Sequence, residues 1–152
     1  MEHFATVSLG LSEESAPDEQ SIRALKQGMD DYNFAAAGPD NYQPLWLFAR
    51  DEANRVQGGL YAQTSWCWLF VDWLWVAQVY RGHKIGLRLL RGAENVASKR
   101  GCVGAFVNTY TFQAPGFYRR NGYTEFGRID GFPPGHSRIW FSKALRANAE
   151  TV

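Results

Sequence analysis

The sequence predicts a single α+β domain, and three observations lead to this fold class. The chain has 152 residues, the size of one ordinary domain, and its 45% hydrophobic and 20% charged residues are typical of globular proteins. Segments with the period of strands are interspersed with segments with the period of helices. No internal repeat, low-complexity segment or linker interrupts them. The predicted domain therefore spans residues 1–152.

The N-terminal part predicts a strand followed by a helical region. Residues Phe4–Leu11 form the predicted first strand, and a Ser/Glu/Pro loop follows it. Asp18 is a plausible N-cap, because apolar residues recur at helical spacing after it (Ile22, Leu25, Met29). A break in this helix is predicted near Asp30–Asn33, and Gly38-Pro39 ends the region.

Three strands are predicted next. The polar segment Arg50–Arg55 lies between Leu45–Phe48 and Val56–Thr64, which indicates a β-hairpin. Residues Trp66–Val76 are almost continuously apolar, as in a strand that is buried on both faces. The aromatic content of 15% also suits a sheet whose faces are mostly covered. Asp72 is the only charged residue in this strand.

The C-terminal half alternates helices and strands. After the turn Arg81–Gly86, a helix is predicted from its apolar stripe (Ile85, Leu89, Ala93, Val96), and Arg100-Gly101 supplies its stop signal. Pro115 opens a short helix and Gly122 lies beyond its end. The remaining predicted elements are a strand at Val103–Val107, the helix at Pro115–Arg120, strands at Tyr123–Ile129 and Arg138–Phe141, and a loop at Asp130–Ser137 between them.

Charge and cysteine usage exclude several function classes. Sixteen basic and 15 acidic residues give a net charge of +1, so no global field favours nucleic acid or a membrane as partner. Cys67 and Cys102 have no metal-ligand spacing and lie in apolar stretches, which favours free, buried thiols over a disulfide. The N-terminus lacks the pattern of a signal peptide, and we expect a cytoplasmic protein.

The turn Arg81–Gly86 has the composition of an anion site. Helix N-termini present unpaired N–H groups and partial positive charge, so phosphate binds there readily. Gly82 and Gly86 let the backbone approach an anion closely, and Lys84 adds positive charge. An ordinary strand-to-helix turn is an equally good interpretation of these residues alone. P-loop and dinucleotide-binding motifs are both missing from the sequence.

Here the sequence resembles the GNAT family of N-acetyltransferases. The family's pyrophosphate motif is Arg/Gln-x-x-Gly-x-Gly/Ala, and this chain has Arg81-Gly82-His83-Lys84-Ile85-Gly86-Leu87 followed by Arg-Leu-Leu. Lys84 stands where the family's central glycine usually sits, so its side chain either crowds the pyrophosphate or reaches a phosphate. A second family block, Asn-x-x-Ala-x-x-x-Tyr-x-x-x-Gly-Phe/Tyr, matches Thr111 to Tyr123, with Thr111 in place of the asparagine. Phe117 and Tyr118 lie within this block.

The resemblance implies a fold, a cosubstrate and a reaction. The fold would be a central mixed, mostly antiparallel twisted sheet flanked by helices, with a β-bulge that splays one strand pair into a cofactor cleft. Acetyl-CoA would bind there, without a metal, against Leu74, Trp75 and Val76, the turn Arg81–Leu87, Thr111 and Phe117. We expect direct transfer to a primary amine of a small molecule in a ternary complex. A homodimer is common in the family.

Three residues are candidates for the proton transfers. By resemblance, Tyr118 would protonate the departing thiolate; the alternative is a packing tyrosine. Asp72 could take the proton of the amine, because burial would raise the pKa of a carboxyl group, or it could be purely structural. His136, in the stiff loop Phe132-Pro-Pro-Gly-His136, is the other candidate base, since a related GNAT group has a histidine base in a similar segment.

The acceptor pocket and the activity itself have alternatives. The predicted helix break supplies Tyr32, Asn33 and Phe34, which suit a polar amine but would serve equally as a helix-ending turn. A non-catalytic module of the same fold could instead sense acyl-CoA or a small ligand. Acetylation of a protein lysine or N-terminus is a further alternative.

Overall fold

The computed structural model describes residues 9–145. The predicted strand Phe4–Leu11 lies mostly outside the described residues, and its last positions, Leu9–Leu11, are not in a strand. Contacts between Cα atoms divide the chain into two compact units, residues 1–38 and residues 39–152, which are described separately. The single-domain organisation stays a prediction.

The first unit contains helix α1, Glu19–Ala37. Asp18 is its N-cap, as predicted, and accepts a hydrogen bond from the backbone N–H of Ser21 at 3.0 Å. The predicted break near Asp30–Asn33 is wrong, because the helix is continuous. Its side chains explain why: Lys26 pairs with Asp30, and the Gln27 amide donates to Asp31 at 2.7 Å, so i,i+4 contacts span this segment.

The second unit is built on one six-stranded sheet. Its strands are β1 Gln43–Arg50, β2 Val56–Ser65, β3 Trp68–Val76, β4 Gly104–Tyr110, β5 Thr124–Asp130 and β6 Ser137–Ala144. Their order in the sheet is β1-β2-β3-β4-β6-β5. The β3–β4 pair is parallel and the other pairs are antiparallel. The prediction of a mixed, mostly antiparallel sheet is therefore confirmed, as is the hairpin of β1 and β2.

Two helices and a short 3-10 helix connect the strands. Helix α2, Ile85–Lys99, buries Leu89, Leu90, Ala93 and Ala97. Helix α3 has the predicted bounds, Pro115–Arg120. A 3-10 helix at Gln78–Tyr80 lies between β3 and the turn before α2. The expectation that the turn leads directly from this strand into the helix is therefore wrong. Within the described residues, no helix has both the length and the apolar character needed to cross a membrane.

An ion pair fixes helix α2 to the sheet. Glu94 in α2 accepts hydrogen bonds from the Lys143 ammonium at 2.9 and 3.0 Å and from the Tyr123 hydroxyl at 3.0 Å. Both charged side chains are largely removed from solvent, and each has its partner. These contacts hold the central part of α2 against β6 and the residue before β5.

Strand β3 differs from the prediction in its burial. One face carries buried or half-buried residues (Leu69, Val71, Leu74, Val76), whereas Trp68, Trp73 and Trp75 on the other face are exposed. The expectations of a strand buried on both faces and of mostly covered faces are therefore wrong. The long apolar run of β3 has another origin, because aromatic residues occupy its outer face.

The two cysteines lie in different environments. Trp66 and Cys67 form the tight turn between β2 and β3, with φ angles of 42° and 60°. Cys67 is exposed there, which corrects the expectation that both thiols are buried. Cys102 is buried, and desolvation raises the pKa of its thiol. Both cysteines are free thiols, as predicted.

Candidate active site

The sheet opens between β3 and β4. The two strands pair only from Trp68↔Gly104 to Val71↔Val107, although β3 continues to Val76 and β4 to Tyr110. On the other side of β3, Tyr61 pairs with Trp73 and Ala62 with Val71, so Asp72 is an extra residue without a partner in β2. This β-bulge bends β3 away from β4. The predicted bulge and splayed strand pair are both present.

A cleft of about 1090 Å³ extends from this opening. Its lining includes most of the predicted site residues: Asp72, Leu74, Trp75, Val76, Arg81, Gly82, Lys84, Ile85, Gly86, Leu87, Phe117 and Tyr118. His83, Thr111 and His136 are not part of the lining. One cleft thus joins the unpaired edge of β3, the N-terminus of α2 and helix α3.

The N-terminus of α2 is open to an anion. No side chain caps the helix, and the first intrahelical bond runs from the Arg88 N–H to the Lys84 carbonyl. The N–H groups of Ile85–Leu87 therefore precede that bond and point toward the cleft end of the helix. The Arg81 side chain crosses the end of β3, where its Nε donates to the Val76 carbonyl at 3.1 Å. These N–H groups, together with the positive charges of Arg81 and Lys84, suit a phosphate.

Lys84 keeps the backbone shape that its usual glycine would give. Its φ of 61° and ψ of 15° lie in the left-handed region, which costs roughly 1–2 kcal/mol for a residue with a Cβ. Gly82, with φ of 82°, has the same sign of φ, and nothing lies within 4 Å of the position of a Cβ there. The turn therefore has the form of a glycine-rich turn and carries an additional ammonium group at the cleft.

Tyr118 lies at the inner wall of the cleft. It is 6% exposed and packs against Phe117, Tyr123 and Phe141, with ring centroids 5.2, 5.7 and 6.1 Å away. Burial raises the pKa of Tyr118 to about 12, so the phenol stays protonated at any ordinary working pH. Within residues 9–145 the Tyr118 hydroxyl has no hydrogen-bond partner, whereas no buried polar side-chain atom there lacks one, so this hydroxyl is accessible, and Tyr118 lines the cleft.

His136 lies at the rim of the cleft. Its ring packs edge-on against Phe112, a lining residue, with centroids 4.9 Å apart. Nδ1 is 3.3 Å from the hydroxyl of Thr111, which also accepts a hydrogen bond from the Ser137 N–H at 3.1 Å. These contacts fix the loop that carries His136 against the end of β4. They also engage Thr111 with this loop, and its predicted cofactor contact stays a prediction.

Asp72 lines the cleft, but it is exposed rather than buried. The expectation that burial would raise the pKa of this carboxyl group assumed that the side chain is buried in the strand. This assumption is wrong, because the side chain is exposed. Strand alternation is the physical reason, because Asp72 follows the inward-facing Val71 and its side chain therefore lies on the outer face. Asp72 therefore supplies an exposed negative charge beside the opening of the sheet.

The predicted acceptor residues Tyr32, Asn33 and Phe34 lie in the first unit. They occupy the last turns of α1 rather than a helix break, and Tyr32 and Phe34 are exposed. Their role in binding an acceptor stays a prediction.

Sequence reasoning missed Asn108 and Gln113 in the lining. Strand β4 was predicted to end at Val107, yet it continues to Tyr110, so Asn108 faces the gap where β3 no longer pairs. Arg138 fixes the Asn108 amide by donating to its Oδ1 from Nε at 2.9 Å and from Nη2 at 2.7 Å. Gln113 accepts from the Thr109 hydroxyl at 2.9 Å. The sequence did contain a signal for the longer strand, because polar residues continue its alternation beyond Val107.

The arrangement can bind a long, thiol-linked nucleotide. The open helix end and its cations suit a pyrophosphate, the unpaired backbone of β3 suits amide groups of an extended arm, and Tyr118 lines the same cleft. Among residues 9–145, no group of three or more His, Cys, Asp or Glu side chains could hold a metal ion.

Comparisons with known proteins show similarity to acetyltransferases. A sequence model of the acetyltransferase (GNAT) domain matches residues 43–125. An acetyltransferase of Agrobacterium fabrum is 35% identical over 126 residues, covering 83% of this chain and 92% of that protein. Blasticidin-S acetyltransferase of Streptomyces morookaense is 45% identical over 97 residues, 61% of this chain and 71% of that protein. The crystal structure of an acetyltransferase from Bacillus cereus superposes with a TM-score of 0.81 at 27% identity, covering 88% of this chain and 98% of that one.

Proposed function

The chain belongs to the GNAT family of acetyltransferases, and from this premise we propose that it transfers the acetyl group of acetyl-CoA to a primary amine of a small molecule. The observation that carries the proposal is the single cleft that connects the open N-terminus of α2, the unpaired edge of β3 and the Tyr118 hydroxyl. Each of these parts matches one portion of an acyl-CoA thioester.

The end of the cleft at the N-terminus of α2 is suited to the pyrophosphate of CoA. The N–H groups of Ile85–Leu87 would donate to phosphate oxygens, with Arg81 and Lys84 supplying positive charge. The backbone of Leu74–Val76 has no strand partner on the β4 side, so its polar groups other than the Val76 carbonyl, which accepts from Arg81, are available to the amide groups of the pantetheine arm. An N–H of this segment aimed at the thioester carbonyl would stabilise the developing oxyanion by roughly 3–4 kcal/mol.

Tyr118 is the proposed acid for the leaving thiolate. The amine nitrogen attacks the thioester carbon, a C–N bond forms and the C–S bond breaks, and the sulfur must then gain a proton. The pKa of about 12 keeps Tyr118 protonated for this purpose. A thiol in water has a pKa of about 8.5, so the transfer is uphill unless the nonpolar cleft also disfavours the thiolate. The walls formed by Phe117 and Leu74 provide such surroundings.

We assign the role of base to His136, acting through water. Its position at the rim beside Phe112 supports this role for an amine that would enter the cleft at its rim. The Thr111 hydroxyl at Nδ1 orients the ring. Asp72 is closer to the opening, but its exposure supports a role in attracting a cationic amine rather than in accepting its proton.

Two observations support direct transfer to a small molecule. Neither Cys67 nor Cys102 is a lining residue of the cleft, so no thiol is placed to form an acetyl-enzyme. The Streptomyces morookaense relative is named for the acetylation of blasticidin S, a small molecule.

A thiol-release assay with acetyl-CoA and a panel of small amines tests the proposal, together with thermal unfolding in the presence of CoA. At a hundredfold excess over Kd, CoA should stabilise the protein by about 2.7 kcal/mol, or roughly 5–10 °C in Tm. Tyr118→Phe should lower the rate by about 10²-fold or more while CoA binding persists. Stabilisation by CoA without turnover of any amine would identify a sensor, and the absence of stabilisation would contradict the cofactor site.

A further inference from the structure

The outer face of the sheet carries an aromatic cluster next to the cleft, formed by Trp46, Tyr61 and Trp73. We propose that this cluster, with the carboxylate of Asp72 at its edge, binds a positively charged group of the acceptor that is not itself acetylated. The acceptor would then carry at least two basic nitrogens, one reacting and one retained as a cation. This inference rests on the proposed acetyltransferase function and names its substrate class.

The aromatic cluster is a continuous surface across three strands. Trp46, Tyr61 and Trp73 are register neighbours in β1, β2 and β3. The Trp46 and Tyr61 rings stack at a centroid distance of 4.1 Å, and Trp73 lies 5.1 Å from Tyr61 and 5.9 Å from Trp46. The two indoles meet at 67°, so they form an angled corner rather than one flat plane. Trp46 is 49% exposed and Trp73 is 60% exposed, so these rings offer accessible surface.

The cluster is continuous with the cleft. Trp73 belongs both to the cluster and to the cleft lining, and Asp72 precedes it at the bulge. The Tyr42 and Tyr61 hydroxyls are 3.4 Å apart. This hydrogen bond is the main cause that raises the pKa of Tyr61, followed by desolvation and the charge of Tyr42, and the negative charge of Asp72 adds the smallest contribution.

Ring faces beside a carboxylate recognise cations. The faces of Trp and Tyr are electron-rich and attract ammonium and guanidinium groups, and Asp72 adds a full negative charge at the same place. The protein already makes such a contact on neighbouring Phe48, where the Arg50 guanidinium lies 5.3 Å from the ring centroid. Anionic groups would be repelled from this edge by Asp72.

The charge states of the acceptor separate the two nitrogens. The attacking amine must be neutral when it reacts, whereas a group held by ring faces and a carboxylate is held because it is charged. One nitrogen cannot satisfy both requirements at the moment of transfer. A monoamine could therefore react, but it would leave the aromatic cluster without a cation.

A comparison of matched acceptors tests the proposal. Putrescine has two amines, butylamine has one on the same carbon chain, and γ-aminobutyrate carries a carboxylate at the far end. We expect kcat/KM for putrescine to exceed that for butylamine by about tenfold, mainly through KM, with γ-aminobutyrate the poorest of the three. Trp73→Leu and Asp72→Asn should lower the rate with putrescine more than the rate with butylamine and bring their ratio toward one.

Trp68→Leu is the matched control. Trp68 has the same residue type, lies on the same strand and is also exposed, but it is not a lining residue of the cleft and packs against Phe106 instead. This variant should keep the wild-type ratio of putrescine to butylamine. Equal ratios in wild type, Trp73→Leu and Asp72→Asn would overturn the proposal while leaving acetyl transfer intact.

A binding measurement separates failure of this inference from failure of the proposed function. Tryptophan fluorescence or NMR titration with putrescine reports occupancy of the aromatic cluster without any turnover. If no amine is acetylated but putrescine still binds, and Trp73→Leu weakens its binding severalfold, the cation site stands and the enzyme function fails. If Trp73→Leu instead dissociates a dimer in light scattering and leaves putrescine binding unchanged, the surface is a subunit contact and the proposal is wrong.

Discussion

Gly86→Ala tests the cofactor site because the structure predicts opposite signs for its effects on stability and on binding. A Cβ built at Gly86 would lie 3.7 Å from the Phe117 ring and 3.8 Å from the Val76 side chain, which are ordinary van der Waals distances. The protein itself therefore has room for the methyl group. Gly86 is the second residue of α2, and replacing a helical glycine by alanine stabilises by roughly 0.5–1 kcal/mol. The expected Tm is about 1–4 °C above that of wild type.

The same methyl group should weaken binding of CoA. Gly86, Phe117 and Val76 all line the cleft, so the new Cβ takes space from the ligand and from no other part of the protein. It would stand beside the N–H groups proposed to hold the pyrophosphate, and the phosphate would have to move away from them. We expect CoA affinity to fall at least tenfold, or about 1.4 kcal/mol, as measured by isothermal titration calorimetry.

Gly28→Ala provides the control for helix propensity. Gly28 lies inside α1, and nothing is within 4 Å of the position of a Cβ there. This variant should bind CoA as wild type does. Unchanged CoA affinity in Gly86→Ala, together with the expected gain in Tm, would refute the placement of the pyrophosphate at this helix end. A large loss of Tm would show instead that the glycine is required by the fold.

Four further predictions follow from the site. Lys84→Asn should keep the left-handed turn and the Tm, because asparagine tolerates this conformation. Its CoA affinity in calorimetry should fall severalfold, because the positive charge is lost. Unchanged affinity would show that the ammonium does not reach a phosphate. Since the pKa of Tyr118 is raised to about 12, the folded state keeps a proton that the unfolded state loses above about pH 10. Stability should therefore fall by about 2–3 kcal/mol as the pH rises from 10 to 12, and urea unfolding of Tyr118→Phe should show a smaller loss. His136→Gln should lower kcat by about 10²-fold or more without changing CoA binding in calorimetry, whereas an unchanged kcat would exclude His136 as the base. Exposed Cys67 should react quickly with a thiol reagent and buried Cys102 slowly, and a Cys67→Ser, Cys102→Ser double variant that folds should still turn over in the thiol-release assay.

Sequence signals identified the elements whose ends are set by local chemistry. Helix α3 was predicted with the observed bounds, since Pro115 fits its first turn and Gly122 follows its end with φ of 86°. The cap of α1 at Asp18 and the hairpin of β1 and β2 depend on equally local signals. The turn Arg81–Gly86 belongs to the same class, because one short motif contains the glycine, the cations and the start of the helix.

The sequence could not show where β3 changes its face. Leu69 and Val71 point inward at every second position, and after the bulge the inward residues are Leu74 and Val76. A period of two cannot register one inserted residue, and the aromatic residues on the outer face hid the alternation altogether. Asn108 was missed for a related reason, since a polar residue facing a gap in the sheet has the same appearance in sequence as the end of a strand.

The bulge at Asp72 links the two halves of the proposed reaction. One inserted residue reverses the face of every side chain that follows it, so Trp73 lies on the outer face instead of in the core. The same insertion separates β3 from β4 and leaves the backbone of Leu74–Val76 without a partner on that side. The edge proposed to hold the thioester and the aromatic surface proposed to hold the acceptor thus share one structural cause. Because a bulge fixes both at once, the two substrates would meet at Asp72 without any movement of the strands.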